Sequence, residues 1–356
     1  MNTSNPFSHI NPESFKIENL ISRRVDRDAE LELCFEALTN NSQNVLLYGS
    51  RGIGKTFLVR LLFEKLKSSE SSVFPVVVNL SGLVCYGRDD ITASFSRAVL
   101  LQVCCEVWTR LLGKRYLDLR ERLDETGNEI SFRTEAERTV QRIYSLLMTS
   151  ERTAKKKEYE SFGVTAAIKG EKGDEAEFSR QQSDVLPFEF AEFIDELNKY
   201  VLVREKKKRF VIICDEANKM PLFEQEQILE RYIELFNTKQ VLFLFVAGLR
   251  KWEEFVELPD CFELYVHLKG FPSLKHIREL IRKSKSSIPL EDDGVDFLFK
   301  EYVGHPRETL GACFEAYNLA QERELATISR KLIVEVCSRI KYENLEYERR
   351  NKNENT

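Results

Sequence analysis

The feature that most constrains the fold of this chain is a short segment near its N-terminal end. An apolar run over residues 44–48 (NVLLY) is followed by GSRGIGKT over 49–56, which fits the pattern G-x-x-x-x-G-K-[ST]. Apolar residues then recur at helical spacing as far as Leu66. The run predicts a buried strand and the spacing predicts a helix. Because glycines let main-chain amides surround a polyphosphate at the start of a helix, the segment predicts a nucleotide-binding loop.

The candidate nucleotide-binding residues are those of the loop and the first helical turn. Lys55 is expected to bridge the β- and γ-phosphates of ATP, and the hydroxyl of Thr56 is expected to join the Mg²⁺ shell. The alternative is a glycine-rich turn with an accidental lysine, and the flanking strand and helix patterns argue against it. The full candidate set for ATP or ADP is Gly49, Ser50, Arg51, Gly52, Ile53, Gly54, Lys55, Thr56 and Phe57.

A second apolar run ends in two acids. Residues 210–216 read FVIICDE, which predicts a buried parallel strand whose carboxyl end lies where such sheets bind ligands. One acid is expected beside Mg²⁺ in P-loop ATPases, and Asp215 suits that role as a metal ligand. The adjacent Glu216 is expected to orient and deprotonate the attacking water. The alternative is a strand that exits into a polar loop, and the phosphate-loop motif in the same chain favours the catalytic interpretation.

Short apolar runs alternate with helical stretches along the chain. This alternation predicts an α/β fold with a parallel sheet that helices cover. From about residue 269 onward the apolar spacing is helical, which predicts a C-terminal helical lid. The predicted domains are 1–268 for the sheet, 269–340 for the lid and 341–356 for a flexible tail. The strand signals lie at 44–48, 73–80, 210–214, 241–247 and 264–268.

The connection between the second and third strand signals is far longer than the ~30 residues of a whole βαβ unit. We interpret residues 84–185 as an insertion into the sheet domain, with helices over 90–112 and 133–148 and a strand-like run at 164–168. Two interpretations stay open for this insertion. It is either a disordered surface excursion, above all at 170–184, or an arm for DNA or a partner protein.

The phosphate loop and the acidic strand together resemble the AAA+ P-loop ATPases. The similarity is closest to the origin-recognition and initiator-loader branch and to related bacterial, STAND-like ATPases. It implies a P-loop αβα sandwich with a five-stranded parallel sheet and a C-terminal α-helical lid. Four further segments carry it, namely SRRVDRDAEL over 22–31, VLFLFVAG over 241–248, the strand at 264–268 and GHPR over 304–307.

The resemblance also implies roles for two arginines. Arg27 and Glu30 occupy the arginine and glutamate positions of an R-x-x-E-L segment, which lies against the adenine in this family. Arg27 is therefore a candidate nucleotide contact. Arg307 stands at a predicted helix start, where the family's second sensor arginine reaches from the lid to the phosphate tail. Arg307 is therefore a candidate catalytic residue beside Lys55 and Glu216.

Two departures from the family pattern bear on hydrolysis. The tip of the fourth strand is Ala247-Gly248, where the family has Asn, Ser or Thr as a first sensor. Arg250 is either a substitute for that sensor or a surface arginine beside Trp252. The stretch 259–262 (PDCF) has no arginine before the fifth strand, so trans activation of a neighbouring subunit through that position is not expected.

The composition of the chain limits which partners it can bind and in which cellular compartment it is expected. The chain carries 53 basic and 58 acidic side chains, a formal net charge of −5, which excludes a uniformly basic nucleic-acid coat. No run approaches the ~18 apolar residues of a membrane span, so no membrane contact is expected. The eight cysteines never form C-x-x-C, and a zinc site or disulfide framework is not expected. A reducing cytoplasm fits this cysteine usage.

Basic clusters at 206–209 and 275–285 are either solvated surface or, on the lid, phosphate contacts of DNA. We expect a Mg²⁺-dependent ATPase whose nucleotide state controls self-assembly as a homo-oligomer or an effector-protein partner. The resemblance favours a DNA-linked setting, such as antiviral defence, a mobile element or replication, with non-specific DNA contact left open. The alternatives are a STAND-type signalling scaffold, in which turnover is incidental, and a small-molecule kinase.

Overall fold

The structure is a computed structural model. Several sequence predictions concern residues outside the part it describes, namely the strand-like run at 164–168, the stretch at 170–184, Arg250 and Lys285. The described residues are 24–68, 71–81, 91–113, 134–147, 189–202, 206–248, 261–284 and 286–354.

Each strand of the sheet falls on one of the predicted runs. The order across the sheet is β2-β3-β4-β1-β5, and the sheet is parallel. β2 and β3 pair in a register that ends with Asn79 opposite Asp215. The predicted P-loop α/β fold with a five-stranded parallel sheet is therefore confirmed. The strands are β1 Val45–Gly49, β2 Val73–Asn79, β3 Arg209–Asp215, β4 Val241–Gly248 and β5 Leu264–Leu268.

Helices fill most of the remaining described residues. α3 and α5 each continue into a π-helical turn, at Val107–Leu111 and Asn198–Leu202. The helices predicted over 90–112 and 133–148 are confirmed by α3 and α4. In chain order the helices are α1 Asp28–Thr39, α2 Lys55–Lys67, α3 Ile91–Glu106, α4 135–147, α5 189–197, α6 Leu222–Arg231, α7 Ile233–Thr238, α8 Leu274–Lys283, α9 Asp292–Tyr302, α10 Pro306–Glu322 and α11 Arg330–Glu354.

The backbone separates into two compact units. Among the described residues, the first contains 24–33, 48–61, 267–284 and 286–354, whereas the second contains 34–47 and those between 62 and 266. The phosphate-loop segment therefore groups with the C-terminal helices. The domain boundaries at 268 and 340 stay a prediction.

In the second unit the strands are buried on both faces. All residues of β3 from Phe210 to Asp215 and of β4 from Val241 to Ala247 are buried. Strands of this kind need helices on both sides of the sheet. α3 supplies one such cover, because the ring of Phe95 packs against the rings of Tyr232 and Phe245 with centroids 5.4 and 6.3 Å apart.

α3 bears on the interpretation of the insertion at 84–185, whose bounds stay a prediction. Its residues fall within the predicted insertion, yet the helix packs on the sheet as part of the sandwich. The hydroxyl of Tyr232 donates to the carbonyl oxygen of Thr92 at 2.9 Å, which fixes the start of α3. Nine of the 16 residues of α3 are buried, as is expected of a helix that covers a sheet.

α4 and α5 pack together within the second unit. Arg142 of α4 forms an ion pair with Glu196 of α5, and its guanidinium lies 5.6 Å from the ring of Phe193. Beneath these surface contacts both helices bury apolar side chains, among them Ile143 of α4 and Ile194 of α5. α4 is thus anchored to the helix that leads into β3.

In the first unit the four C-terminal helices share one apolar core. α8 contributes Ile277, α9 contributes Leu298, α10 contributes Tyr317 and α11 contributes Ile333, all buried to 1% exposure or less. Phe271, which follows β5, joins the same core. The residues from 269 onward are helical, as their apolar spacing predicts.

The predicted tail continues the last helix. Residues 341–354 belong to α11, and the flexibility expected from their polar sequence stays a prediction. Arg339 and Glu343 are four residues apart and lie 3.4 Å from each other, a spacing that supports a helix without apolar burial.

Two further observations concern the surface and the thiols. Among the helices that the structure describes, none combines the length and apolar character needed to cross a membrane. Six of the seven described cysteines are buried. Burial raises the pKa of the Cys104 thiol, so this group packs as a small apolar side chain.

Candidate functional site

The phosphate loop connects β1 to α2 and is wound around one buried ammonium group. Lys55 is only 8% exposed, and its Nζ donates hydrogen bonds to the carbonyl oxygens of Gly49 at 2.8 Å and Ser50 at 2.9 Å. These bonds tie the first residue of the helix back to the start of the loop. The loop therefore has a fixed curvature, because a buried charge is stable only while its hydrogen-bond partners stay in place.

Two glycines with positive φ turn the backbone of the loop. Gly52 has φ +86° and Gly54 has φ +106°, values that L side chains rarely adopt. A Cβ at Gly52 would also lie 2.6 Å from Cδ of Arg307 and 2.7 Å from its Cβ. Glycine at position 52 therefore serves both the turn and the close approach of Arg307.

The remaining loop residues close the turn. The amide of Ile53 donates to the carbonyl oxygen of Ser50 at 3.4 Å, and Ile53 is buried. Arg51 is exposed, and Phe57 is half-buried in the first turn of α2. The amide of Leu58 makes an α-helical hydrogen bond to the carbonyl oxygen of Gly54 at 3.0 Å.

The groups around the loop suit an anionic ligand. α2 has 13 residues and no acid in its first turn, so the positive end of its dipole is not neutralised there. The ammonium of Lys55 adds a full positive charge, and the exposed side chain of Arg307 adds another. Thr56 offers a hydroxyl at the second helical position. The residues present therefore fit a polyphosphate with its Mg²⁺.

Arg27 has protein hydrogen-bond partners, and its predicted contact with the nucleotide stays a prediction. Its guanidinium is buried, pairs with Glu30 at 2.9 Å and donates to the carbonyl oxygen of Lys269 at 2.6 Å. It also lies 3.5 Å from the carbonyl oxygen of Ile53 and 5.0 Å from the ring centre of Phe271. Arg27 thus connects the loop backbone to the residues that follow β5.

The two predicted acids lie at the end of β3 in the second unit. Asp215 is 6% exposed, and its Oδ1 accepts a hydrogen bond from the amide of Glu216 at 2.8 Å. Glu216 has a left-handed backbone with φ +60°, which is uncommon for a residue other than glycine. This turn directs the two carboxylates differently, with Asp215 buried at the strand end and Glu216 partly exposed.

Three polar neighbours hold the carboxylate of Glu216. Lys219 lies 2.6 Å from its Oε1, and Ser81 and Asn79 also hydrogen-bond it. Burial alone would raise the pKa of Glu216, but the hydrogen bonds from these neighbours and the charge of Lys219 outweigh it and hold the pKa below its ordinary value. Glu216 is therefore ionised at neutral pH and is a weaker base than a free glutamate.

These neighbours of Glu216 are functional candidates that the sequence reasoning missed. Asn79 ends β2 and pairs in register with Asp215. A polar residue at the end of the second predicted strand could therefore have indicated a site residue. Lys219 follows Glu216 by three residues in a 3₁₀ turn. Ser81 gives no sequence signal, because its place depends on the bend after β2.

The tip of β4 has no polar side chain. Ala247 is buried, Gly248 ends the strand, and neither can donate a side-chain hydrogen bond. Arg250, the candidate substitute, lies outside the described residues. Cys261 and Phe262, from the stretch without arginine before β5, are both buried.

Ion pairs occupy part of the basic cluster on α8. Arg278 pairs with Asp296 at 3.0 Å, and Lys283 pairs with Glu279 at 2.9 Å. Lys275 and Arg282 are exposed on the same helix. The acids beside Arg278 and Lys283 offset part of the positive charge of this cluster.

Family comparison identifies the class of this chain. The family model described as "AAA ATPase domain" matches residues 23–227, more than half of the chain. The chain therefore belongs to the AAA ATPase domain family, and its recognition as a P-loop ATPase of the AAA+ class is confirmed. No curated protein matches the chain.

Several solved structures are similar to this chain. The ORC1 protein of Aeropyrum pernix in complex with DNA is 16% identical, with a TM-score of 0.46, and the match covers 89% of this chain and 66% of that one. Drosophila ORC bound to DNA is 13% identical, with a TM-score of 0.42 and coverage of 94% and 68%. The RuvB Holliday junction branch migration motor of Thermotoga maritima is 14% identical, with a TM-score of 0.40 and coverage of 94% and 73%. The chain thus spans just under two thirds of the Aeropyrum protein.

Gly52 is constrained both by its positive φ and by the close approach of Arg307. Gly52→Ala places a methyl group at a positive φ and against Arg307, so the loop must shift and ATP should bind about tenfold more weakly or worse. Isothermal titration with ATP and Mg²⁺ measures this change. Gly311→Ala is the matched control, because a Cβ in the middle of α10 meets no atom within 4 Å. Unchanged affinity in Gly52→Ala contradicts the geometry described above.

Proposed function

We propose that this protein binds ATP at the loop Gly49–Thr56 and hydrolyses it with Mg²⁺ in the cytoplasm. The observation that carries the proposal is the buried ammonium of Lys55, which the loop carbonyls hold at the N-terminus of a helix without acids. A lysine held there is poised for the β- and γ-phosphates. Membership of the AAA ATPase domain family supports the same activity.

The proposed chemistry divides among five side chains. Thr56 and Asp215 hold Mg²⁺, which supplies positive charge for the phosphate oxygens. Glu216 orients the attacking water and takes its proton. Lys55 and Arg307 stabilise the negative charge on the transferred phosphoryl group. Arg27 acts indirectly, through the backbone of the loop and of Lys269.

We propose that the nucleotide state controls an assembly. Arg307 belongs to the helical region and its side chain lies against Gly52, so a change at the phosphates acts directly on α10. The controlled event is self-assembly as a homo-oligomer or binding of an effector protein. The DNA-linked setting, whether antiviral defence, mobile element or replication, follows from the sequence resemblance to initiator-type ATPases. Exposed Lys275 and Arg282 are available for non-specific DNA contact.

A STAND-type scaffold is the second candidate, and the tip of β4 favours it. A strand that ends in Ala247 and Gly248 offers no side chain to sense the γ-phosphate, which suits slow turnover. In this reading the bound nucleotide sets the signalling state and hydrolysis is incidental.

Two variants separate binding from turnover. Lys55→Ala removes the phosphate-binding ammonium, and titration with ATP should show binding weakened by about a hundredfold or more. Glu216→Gln keeps the shape of the side chain but cannot accept a proton, so it should bind ATP normally and hydrolyse it about a hundredfold more slowly. Phosphate release measures the rate. If Lys55→Ala binds ATP as tightly as wild type, the assignment of the nucleotide site to this loop is wrong.

The same pair also distinguishes the two functions. An ATPase-driven regulator should lose its assembly cycle in Glu216→Gln, whereas a scaffold should keep its output or stay locked on. Size measurement with ATP and with ADP reads out the assembly. Phosphate transfer to an acceptor other than water would instead indicate a kinase.

Lys219 provides a test of the proposed base. In Lys219→Ala the pKa of Glu216 should rise, since a hydrogen bond and a positive charge that lower it are lost. Glu216 would then become protonated at a higher pH. In a plot of the hydrolysis rate against pH, the fall in rate on the acidic side should therefore occur at a higher pH than in wild type. Lys208→Ala is the control, because Lys208 is an exposed lysine elsewhere in the second unit. An acidic limb that stays in place contradicts the role given to Glu216.

A further inference from the structure

The strands of the sheet are parallel, so their first residues all lie along one edge. β3 has seven residues, which places this edge about 20 Å from Asp215 at the other end of the strand. The edge is therefore remote from the carboxylates proposed for catalysis. We call it the amino edge, and its described residues are 40–44, 68, 71–72, 206–208, 239–240 and 261–263.

The described part of the amino edge carries an excess of positive charge. Its cations are Lys206, Lys207, Lys208 and Lys239. Its acid is Glu263, which forms an ion pair with Lys239 and also accepts a hydrogen bond from the amide of Asn44 at 2.7 Å. Asp195, beside the edge, accepts a hydrogen bond from the side-chain amide of Gln240 at 3.2 Å. Positive charge is thus concentrated here in a chain whose formal net charge is −5.

Hydrogen bonds fix the loop before β3 to the loop before β2. The ammonium of Lys207 donates to the carbonyl oxygens of Ser71 and, at 3.5 Å, of Ser68. The backbone amide of Lys208 donates to the next carbonyl oxygen of the same loop at 2.6 Å. Lys207 is therefore turned toward the neighbouring loop, and the side chains of Lys206 and Lys208 on either side of it are exposed.

Three exposed lysines of this region have little or no compensation from acids. In the part of the chain that the structure describes, no ion pair involves Lys206 or Lys208. Lys67, in the last turn of α2 next to the edge, is 45% exposed and comes no nearer than 4.0 Å to Glu64. An exposed pair at that distance contributes little. The three ammonium groups therefore keep their charge available for an external anion.

The neutral side chains of the amino edge indicate which kind of anion fits. Among its described residues no large apolar side chain is exposed, since Cys261 and Phe262 are buried. Interfaces between proteins have an apolar, lysine-poor centre, whereas lysine with serine, asparagine and glutamine is typical of phosphate contacts in nucleic-acid complexes. The exposed or half-exposed neutral donors are Asn40, Asn41, Ser42, Gln43, Ser68 and Ser72.

We propose that the amino edge of the second unit binds the phosphate backbone of duplex DNA, mainly through Lys67, Lys206 and Lys208. The edge spans four inter-strand spacings, about 19 Å, so several phosphates of a rigid backbone fit along it. Contacts of this kind do not read the base sequence, and they weaken as salt rises. The inference goes beyond the proposed ATPase activity and does not depend on a bound nucleotide.

A double substitution tests this surface. Lys206→Gln/Lys208→Gln removes two positive charges and keeps the hydrogen bond of Lys208 to the neighbouring loop, because that bond comes from the backbone amide. The matched control is Lys300→Gln/Lys331→Gln, which removes two exposed lysines from the C-terminal helices. Both variants have the same net charge, so a difference between them reports the place of the lysines.

The measurement is fluorescence anisotropy of a labelled duplex of random sequence, titrated with the full chain over a series of salt concentrations without nucleotide. Lys206→Gln/Lys208→Gln should bind about tenfold more weakly at low salt, and its plot of log affinity against log salt should be shallower by about two. The control should bind like wild type. These results support the proposal.

Four outcomes overturn it. Equal losses in both variants would indicate an effect of net charge alone. A loss confined to Lys275→Gln/Arg282→Gln would place the DNA on α8. Wild-type protein that binds labelled polyglutamate and not the duplex would indicate an acidic protein partner, and binding of neither at low salt would mean that the edge is only solvated. The assay contains no nucleotide, so none of these outcomes bears on the proposed ATPase function.

Discussion

The burial of one ammonium group organises the candidate site. Lys55 is enclosed by the carbonyl oxygens of its own loop, so the loop and the start of α2 form a single closed unit. The cost of burying that charge is offset only while the carbonyls face inward, which makes the curvature of the loop a condition of stability. The glycine conformations at Gly52 and Gly54 follow from that curvature.

The residues that support the phosphate loop come from segments that are distant in sequence. Arg27 supports the loop from before β1, and the 303–307 turn supports it from the far end of the chain. All of them belong to the first unit, which explains why that unit combines N-terminal, loop and C-terminal residues. The proposed water-activating carboxylate, Glu216, belongs to the second unit and has its own supporting residues there.

The sequence predicted the strands and the phosphate loop well because both have strong local signals. A continuous apolar run such as 241–247 has few alternatives to a buried strand, and the glycine pattern at 49–56 is specific. Non-local packing was not predictable. The packing of α3 against Tyr232 and the hydrogen bond from Arg27 to the carbonyl oxygen of Lys269 each join residues that are distant in sequence.

The most direct test of the central claim is amide hydrogen exchange over residues 49–57, with and without saturating ATP and Mg²⁺. If the loop amides surround the phosphates, their exchange should slow strongly on nucleotide addition, with the largest change between Gly52 and Thr56. The slowing should be absent when ATP is replaced by adenosine, which has no phosphate. Saturated ATP binding with unchanged exchange across this loop would place the nucleotide elsewhere and contradict the account.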